Sequence, residues 1–232
     1  MANQITTISF DGDATLWDFE KVMRHSLAIT LAELRRRVPT PASVALSVEE
    51  MIGIRNAVAA DLKGKTTNLE EIRFQALRRT VGLVGGPDDA LAADLNALYL
   101  RHRFEDIELY PDVMPTLDAL GSRFSLGLLS NGNGYPERCG LADKFRFVVF
   151  SQDIGVEKPD PAIFHEVCRQ TGCESRDLMH VGDSLESDVA GANGAGAISV
   201  WLNRDQMVNG TTIRPAYQIR SLSELVAIAE RC

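Results

Sequence analysis

The feature that most constrains this chain is a set of short apolar runs, each ending in small or polar residues and followed by a helical period. "ITTISF" leads to Asp11, "FSLGLLS" to Asn131, "FRFVVFS" to Gln152 and "DLMHVG" to Asp183, and a fifth run, "AISVWL", comes next. Continuous apolar runs of this length fit strands buried on both faces of a parallel sheet. The stretches Pro161–Thr171 and Glu186–Gly194 read as crossover helices between them. The expected class is α/β, a doubly wound parallel sheet.

Between Asp18 and about Arg103 the pattern changes: apolar residues recur at steps of three and four, and no convincing strand is found. Helices are expected near Phe19–Val38, Val48–Leu62, Leu69–Val81 and Asp88–Phe104. Asn68 followed by Glu71 resembles a capping box, while "VPTPAS" and "LVGGPDD" read as loops. The predicted organisation is an α/β core from residues 1–17 and 105–232, with a helical bundle of residues 18–104 inserted after the first strand.

Composition excludes several classes. A chain of 232 residues, 45% hydrophobic, can bury a sizeable core. Its formal net charge of -8 and the lack of any long Lys/Arg run argue against a nucleic-acid partner, and "LRRR" at Leu34–Arg37 reads as helix decoration. No apolar segment reaches the roughly 18 residues of a membrane span, and the N-terminus lacks a secretory pattern, so a cytoplasmic protein is expected. Cys139, Cys168, Cys173 and Cys232 show no paired spacing, and the four histidines are dispersed. Neither a zinc site nor a disulfide framework is expected.

In an open parallel sheet, ligands bind beyond the carboxyl ends of the strands. The residues that converge there are Asp11 and Asp13, Ser130 and Asn131, and Asp183, with Lys158 of "GVEKPDP" within reach. Three carboxylates with a hydroxyl, an amide and one lysine suit Mg²⁺, which takes hard oxygen ligands, waters and a substrate phosphate. A divalent cation also relieves repulsion among the acids.

Four ordered motifs, "DGDAT" at Asp11–Thr15, "SNG" at Ser130–Gly132, "KPD" at Lys158–Asp160 and "GDSLESD" at Gly182–Asp188, resemble those of the haloacid dehalogenase superfamily. The helical insert lies where one branch of that superfamily carries its cap. The resemblance implies a Rossmann-like core and a Mg²⁺-dependent phosphohydrolase acting on a small phosphorylated metabolite. It makes Asp11 the nucleophile and Asp13 the acid and base. Mg²⁺ would be held by Asp11, Asp183 and the carbonyl of Asp13, and phosphate by Ser130, the Asn131 backbone, Lys158 and Thr15, with Asp188 supporting. The cap would close over the site, where Arg55 and Arg73 are candidates to read a second anionic group.

Two departures matter. Ala14 stands where the family usually has glycine, a source of strain if φ there is positive. The namesake dehalogenases lack the second aspartate, so Asp13 favours phosphate chemistry. Phosphonatase, phosphomutase and dehalogenase chemistry, and a non-catalytic phosphate-dependent binding protein, are the alternatives.

Overall fold

The computed structural model describes residues 5–231, so Cys232 lies outside the described residues. The chain divides into two compact units, one comprising the described parts of Met1–Asp18 and Glu108–Cys232, the other Phe19–Ile107.

The first unit holds six strands: β1 (Thr7–Phe10), β2 (Ser125–Ser130), β3 (Phe147–Phe150), β4 (Leu178–Gly182), β5 (Ile198–Leu202) and β6 (Tyr217–Ile219). They form one parallel sheet in the order β3-β2-β1-β4-β5-β6. All four residues of β1 are buried, as a central strand covered on both faces requires. Phe10 is opposite Leu128 on β2 and Val181 on β4, so β2 runs two residues and β4 one residue past the end of β1. The chain winds outward from β1 to β3, then restarts beside β1 at β4. Asp11 and Asp183 therefore flank the topological switch point, where open α/β sheets bind ligands. The sixth strand has no clear sequence pattern because it is a three-residue edge strand, "YQI", with only Ile219 buried.

The second unit consists of α1 (Phe19–Arg37), α2 (Pro41–Ala45), α3 (Val48–Leu62), α4 (Leu69–Gly85) and α5 (Asp89–Glu105). Its core packs Leu27, Leu31 and Leu34 of α1 against Leu77, Val81 and Val84 of α4 and Leu91 and Leu95 of α5. Each such side chain contributes about 1.5–3 kcal/mol on burial. Three expectations need correction. The "VPTPAS" stretch is not all loop: Thr40 and Ser43 cap each other's backbone reciprocally, and Pro41 occupies the first turn of α2. Helix α4 continues past Val81 to Gly85 because Val84 extends its buried face, and Gly86, at φ 92°, ends it. Asn68 caps α4 from one side only, accepting from Glu70 N and Glu71 N, while the Glu71 carboxylate bonds Gln75 instead. The dispersed histidines are also less separate than the sequence implies, since His25 and His102 both bond Asp106 Oδ2, at 3.1 and 2.8 Å.

The α/β unit continues with α6 (Val113–Gly121), α7 (Ser151–Ile154), α8 (Pro161–Thr171), α9 (Ala190–Ala195) and α10 (Ser223–Ala229). Ile163, Phe164 and Val167 of α8 pack on Leu129, Phe147 and Leu178 of the sheet. The expected helix over Glu186–Gly194 begins instead with a wide π turn, Leu185–Val189, before α9. Such turns concentrate at functional sites, and this one carries Asp188. Among the described residues, no helix is long and apolar enough to cross a membrane.

Candidate active site

Lys158 is the hub of the site. It is 4% exposed, and its Nζ donates to Asp11 Oδ1 at 2.7 Å, Asp188 Oδ1 at 2.6 Å and the Leu129 carbonyl at 3.0 Å. An ammonium has three protons to donate, so these bonds use its full capacity. Burial pulls the Lys158 pKa down, but the Asp11 and Asp188 carboxylates outweigh it and hold the ammonium charged well above its ordinary range. The lysine backbone is fixed as well: Asn131 Oδ1 accepts from Lys158 N at 2.7 Å, and Asn131 Nδ2 donates to Lys158 O at 3.0 Å. The motif resemblance gives Asn131 a role only through its backbone N–H. Its side chain is what ties the end of β2 to the lysine loop.

Asp188 takes three protein contacts, two of them on Oδ1. Besides Lys158, His180 Nε2 bonds Oδ1 at 3.0 Å and Ser184 N donates to Oδ2 at 3.0 Å. Burial pushes the Asp188 carboxyl up, but Lys158 and His180 overcome it and keep the group ionised well below the usual carboxylate range. The end of β4 must be Gly182, because a Cβ there would collide with the Asp188 carboxylate. His180 is fully enclosed, with Nδ1 2.9 Å from Ser9 Oγ and its ring edge-on to Phe164. Burial lowers its pKa, leaving a neutral imidazole that orients Asp188. No motif places His180 in the site. The available signal is a polar residue inside the buried run "LMHVG", three positions before Asp183.

Asp11 and Asp183 carry the remaining negative charge. Burial pushes Asp11 up to about 7 against the pull of Lys158, with Asp188 adding to the rise. Burial, then repulsion from Asp188, pushes Asp183 up to about 6. Thr15 Oγ1 reaches Asp183 Oδ1 at 3.4 Å, and Trp201 Nε1 donates to the Asp183 carbonyl at 2.8 Å. Carboxylate oxygens of Asp11, Asp183 and Asp188 all lie within 4.8 Å of one another. Three hard oxygen donors at that spacing, two of them raised in pKa by crowding and burial, fit a small divalent cation. Asp188 already takes three protein contacts, one of them the Lys158 ammonium, so Asp11 and Asp183 are the better placed pair to hold it.

Asp13 stands apart from this cluster. Its Oδ1 accepts from Trp17 Nε1 at 2.8 Å, and Trp17 is 1% exposed. A Cβ on Gly132 would lie 2.9 Å from Asp13 Oδ2 and 3.2 Å from Ser130 Oγ, so the first two motifs meet at Asp13, Ser130 and Gly132. Ser130 Oγ itself accepts from Gly132 N at 3.0 Å. Trp17 is thus a site residue whose role, holding the second carboxylate, has no sequence signal beyond its spacing four residues after Asp13. The turn between them is tight: Leu16 N donates to Gly12 O and Ala14 N to Trp17 O, each at 2.8 Å, and Ala14 sits at φ 61°. An L-residue other than glycine is strained there.

The loop behind the turn is braced by Arg204. Its guanidinium donates to the Thr15 carbonyl at 3.0 Å, pairs with Asp112 through two nitrogens and lies 4.1 Å from the Tyr110 ring centre. Arg55 and Arg73 lie on α3 and α4 of the helical unit.

A family model for haloacid dehalogenase-like hydrolases matches residues 5–196. The chain belongs to that family. This hydrolase is 31% identical over 206 residues to a glyceraldehyde 3-phosphate phosphatase of Methanopyrus kandleri, covering 86% of this chain and 84% of the relative. It is 28% identical to the human N-acylneuraminate-9-phosphatase, over 98% of this chain and 95% of the relative. Among solved structures, a 2-haloacid dehalogenase from Pseudomonas syringae superposes with a TM-score of 0.84 at 30% identity, over 98% of this chain and 99% of that one.

Proposed function

We propose that this hydrolase is a Mg²⁺-dependent phosphatase that cleaves a small phosphorylated metabolite through an aspartyl-phosphate on Asp11. The observation that carries the reading is the separation of two carboxylates by environment. Asp11 is buried against Lys158, and Asp13 is held by an indole N–H beside Ser130 and Gly132. Two-step displacement needs a nucleophile and a proton shuttle in different surroundings.

In the first step Asp11 attacks phosphorus, the bond from phosphorus to the ester oxygen breaks, and Asp13 gives its proton to the departing alkoxide. In the second, Asp13 takes a proton from water. The resulting hydroxide attacks phosphorus, breaking the acyl-phosphate bond to release inorganic phosphate and restore Asp11. Lys158 holds Asp11 in line and offsets charge, while Ser130 and the Asn131 N–H take phosphate oxygens and Thr15 steadies Asp183. Asp188 and His180 keep Lys158 placed and protonated. Mg²⁺ on Asp11, Asp183 and the Asp13 carbonyl would supply charge neutralisation for the phosphoryl group. Positioning and charge stabilisation account for most of phosphoryl transfer. Two relatives named as phosphatases support the reading.

The dehalogenase structure at 30% identity favours a second reading, in which Asp11 attacks a carbon bearing halogen. Asp13 argues against it: an alkoxide needs a proton to leave and a halide does not. The test is phosphate release from an aryl phosphate with Mg²⁺ and with chelator, beside halide release from 2-chloropropionate, for wild type and Asp11→Asn. Metal-dependent phosphate release, lost by at least about 10³-fold in the variant as for other nucleophile removals, supports the phosphatase. Halide release alone supports the dehalogenase. Phosphate binding without turnover, after a screen of small phosphate esters, leaves only a binding protein.

A further inference from the structure

Most exposed arginines of the helical unit are paired with oxygen acceptors, while Arg101 bonds only His102 among the described residues. Arg24 pairs with Glu20 and Glu49, Arg36 with Glu33, Arg37 with Asp94, Arg78 with Asp89 and Arg79 with Asp61. Arg35, near the end of α1, donates to the carbonyls of Ser43, Val44 and Leu46. Arg73 and Arg103 also lack such partners among the described residues, and they are more enclosed than the five arginines that pair with carboxylates. Arg103 on α5 is 3% exposed, and Arg73 on α4 is partly buried, yet Nη1 of each has no hydrogen-bond partner. Among the described residues neither forms a salt bridge.

Aromatic faces hold both guanidiniums. Arg73 Cζ lies 5.6 Å from the Tyr99 ring centre, and Arg103 Cζ lies 5.2 Å from that of Phe19 and 4.9 Å from that of Phe104. Tyr99 and Arg103 are one turn apart on α5, which brings the two cations to the same stripe. Burial and then Arg103 push Arg73 down to about 10, and Arg55 on α3 adds to the repulsion. Tyr99 and Glu70 oppose the fall; Glu70 is exposed and forms no ion pair with Arg73. Two turns before Arg103, on the same face of α5, Asn96 Oδ1 is also buried without a donor. Buried charges are normally paired, and a cluster of unpaired ones needs an explanation.

We propose that Arg73 and Arg103, with Arg55 beside them, form an anion receptor within the helical unit for the carboxylate or phosphate group of a small molecule. The guanidinium fork suits such planar or tetrahedral oxyanions, and Asn96 offers an acceptor to a neighbouring hydroxyl. The receptor stands without the phosphatase reading. Its use for a second acidic group on a phosphorylated substrate rests on that reading, and a free anion is the other source of the same chemistry.

The test titrates malonate, which carries no phosphoryl group, into the full chain in chelator by calorimetry. Wild type, Arg73→Gln and Arg103→Gln are compared, with thermal melts of each. The expected result is binding by wild type that weakens about tenfold or more in each variant, the loss expected for a hydrogen bond to a charged group. Without malonate the variants melt at or above the wild-type temperature, because a buried uncompensated charge has been removed. A structural role for these arginines predicts the opposite sign in the melt. Absence of malonate binding, or equal binding by all three proteins, overturns the proposal.

A second arm compares kcat/KM for 4-carboxyphenyl phosphate and phenyl phosphate. A ratio that falls about tenfold in the variants assigns the receptor to the substrate. If malonate binding tracks the arginines while the ratio is unchanged, or no ester is hydrolysed, the receptor stands and its ligand is a free anion.

Discussion

The two units of this protein handle charge in opposite ways. In the α/β unit, Lys158, Asp11, Asp188 and His180 are buried, and each depends on the next for its hydrogen bonds. In the helical unit most ion pairs are exposed and separable, such as Arg37 with Asp94 at 2.6 Å. A surface pair can be lost without consequence to its neighbours. Removing one member of the buried set leaves the others desolvated and unpaired, so its geometry is held far more tightly than its small size implies.

The sharpest way to break this contrast is Lys158→Met. It leaves Asp11 and Asp188 buried without their shared cation, and breaking a buried pair costs about 3–5 kcal/mol. Urea unfolding at neutral pH should show that loss, together with the loss of phosphatase turnover. A change below about 1 kcal/mol would place the network on the same footing as a surface pair.

The pH dependence of the metal-free chain separates members of the set. Asp11 and Asp183 have pKa values raised to about 7 and about 6, so the folded state holds their protons where the unfolded chain has lost them. Between about pH 4, the ordinary carboxylate value, and pH 7, stability in chelator should therefore fall as pH rises. Asp188 has the opposite sign, because its depressed pKa gives stability that is present above the ordinary value and lost as pH falls below it. Melting temperatures from about pH 2 to 8, with chelator and with Mg²⁺, test both, the Asp188 loss appearing only below about pH 4. Asp11→Asn should flatten the decline at its upper end, and Mg²⁺ should restore wild-type stability at pH 7. A flat profile in chelator would mean the carboxylates are not crowded as the geometry indicates.

The legibility of the two units in the sequence differs for a related reason. Strands buried on both faces leave apolar runs with abrupt ends, so Asp11, Asn131 and Asp183 are marked by position alone. Helical periodicity marks α1, α3, α4 and α5, but not where α4 stops, because Gly82 and Gly85 read as breakers while Val84 keeps the buried face going. Trp17 escapes because it turns back on Asp13 through a tight loop that has no regular period, and His180 because it meets Ser9 from another strand. Neighbours in space that are remote in sequence leave no local pattern. The pairing of Arg73 with Arg103 is hidden for the same reason, and of the two only Arg73 stands out as a candidate in the sequence.

A smaller effect tests the turn that carries Asp13. Ala14 at φ 61° occupies a conformation that disfavours an L-residue by roughly 1–2 kcal/mol, offset in part by the greater freedom glycine has when unfolded. Ala14→Gly should stabilise the chain by about 0.5–1 kcal/mol in urea unfolding. A loss of stability would show that the packing of the alanine methyl outweighs the backbone strain.

The smallest effect is expected at the surface. Arg37→Ala removes the contact with Asp94, whose side chain is 63% exposed against 36% for the arginine. Solvent screens such a pair, and ordering two long side chains opposes the attraction, so the change should stay below about 1 kcal/mol and shrink with added salt. The informative quantity is its ratio to the Lys158→Met effect measured under the same conditions. A similar loss at both sites would mean that burial adds nothing to the coupling, and the contrast between the units would fail. A several-fold difference would locate the protein's electrostatic stability where its proposed chemistry is, at the ends of β1, β2 and β4.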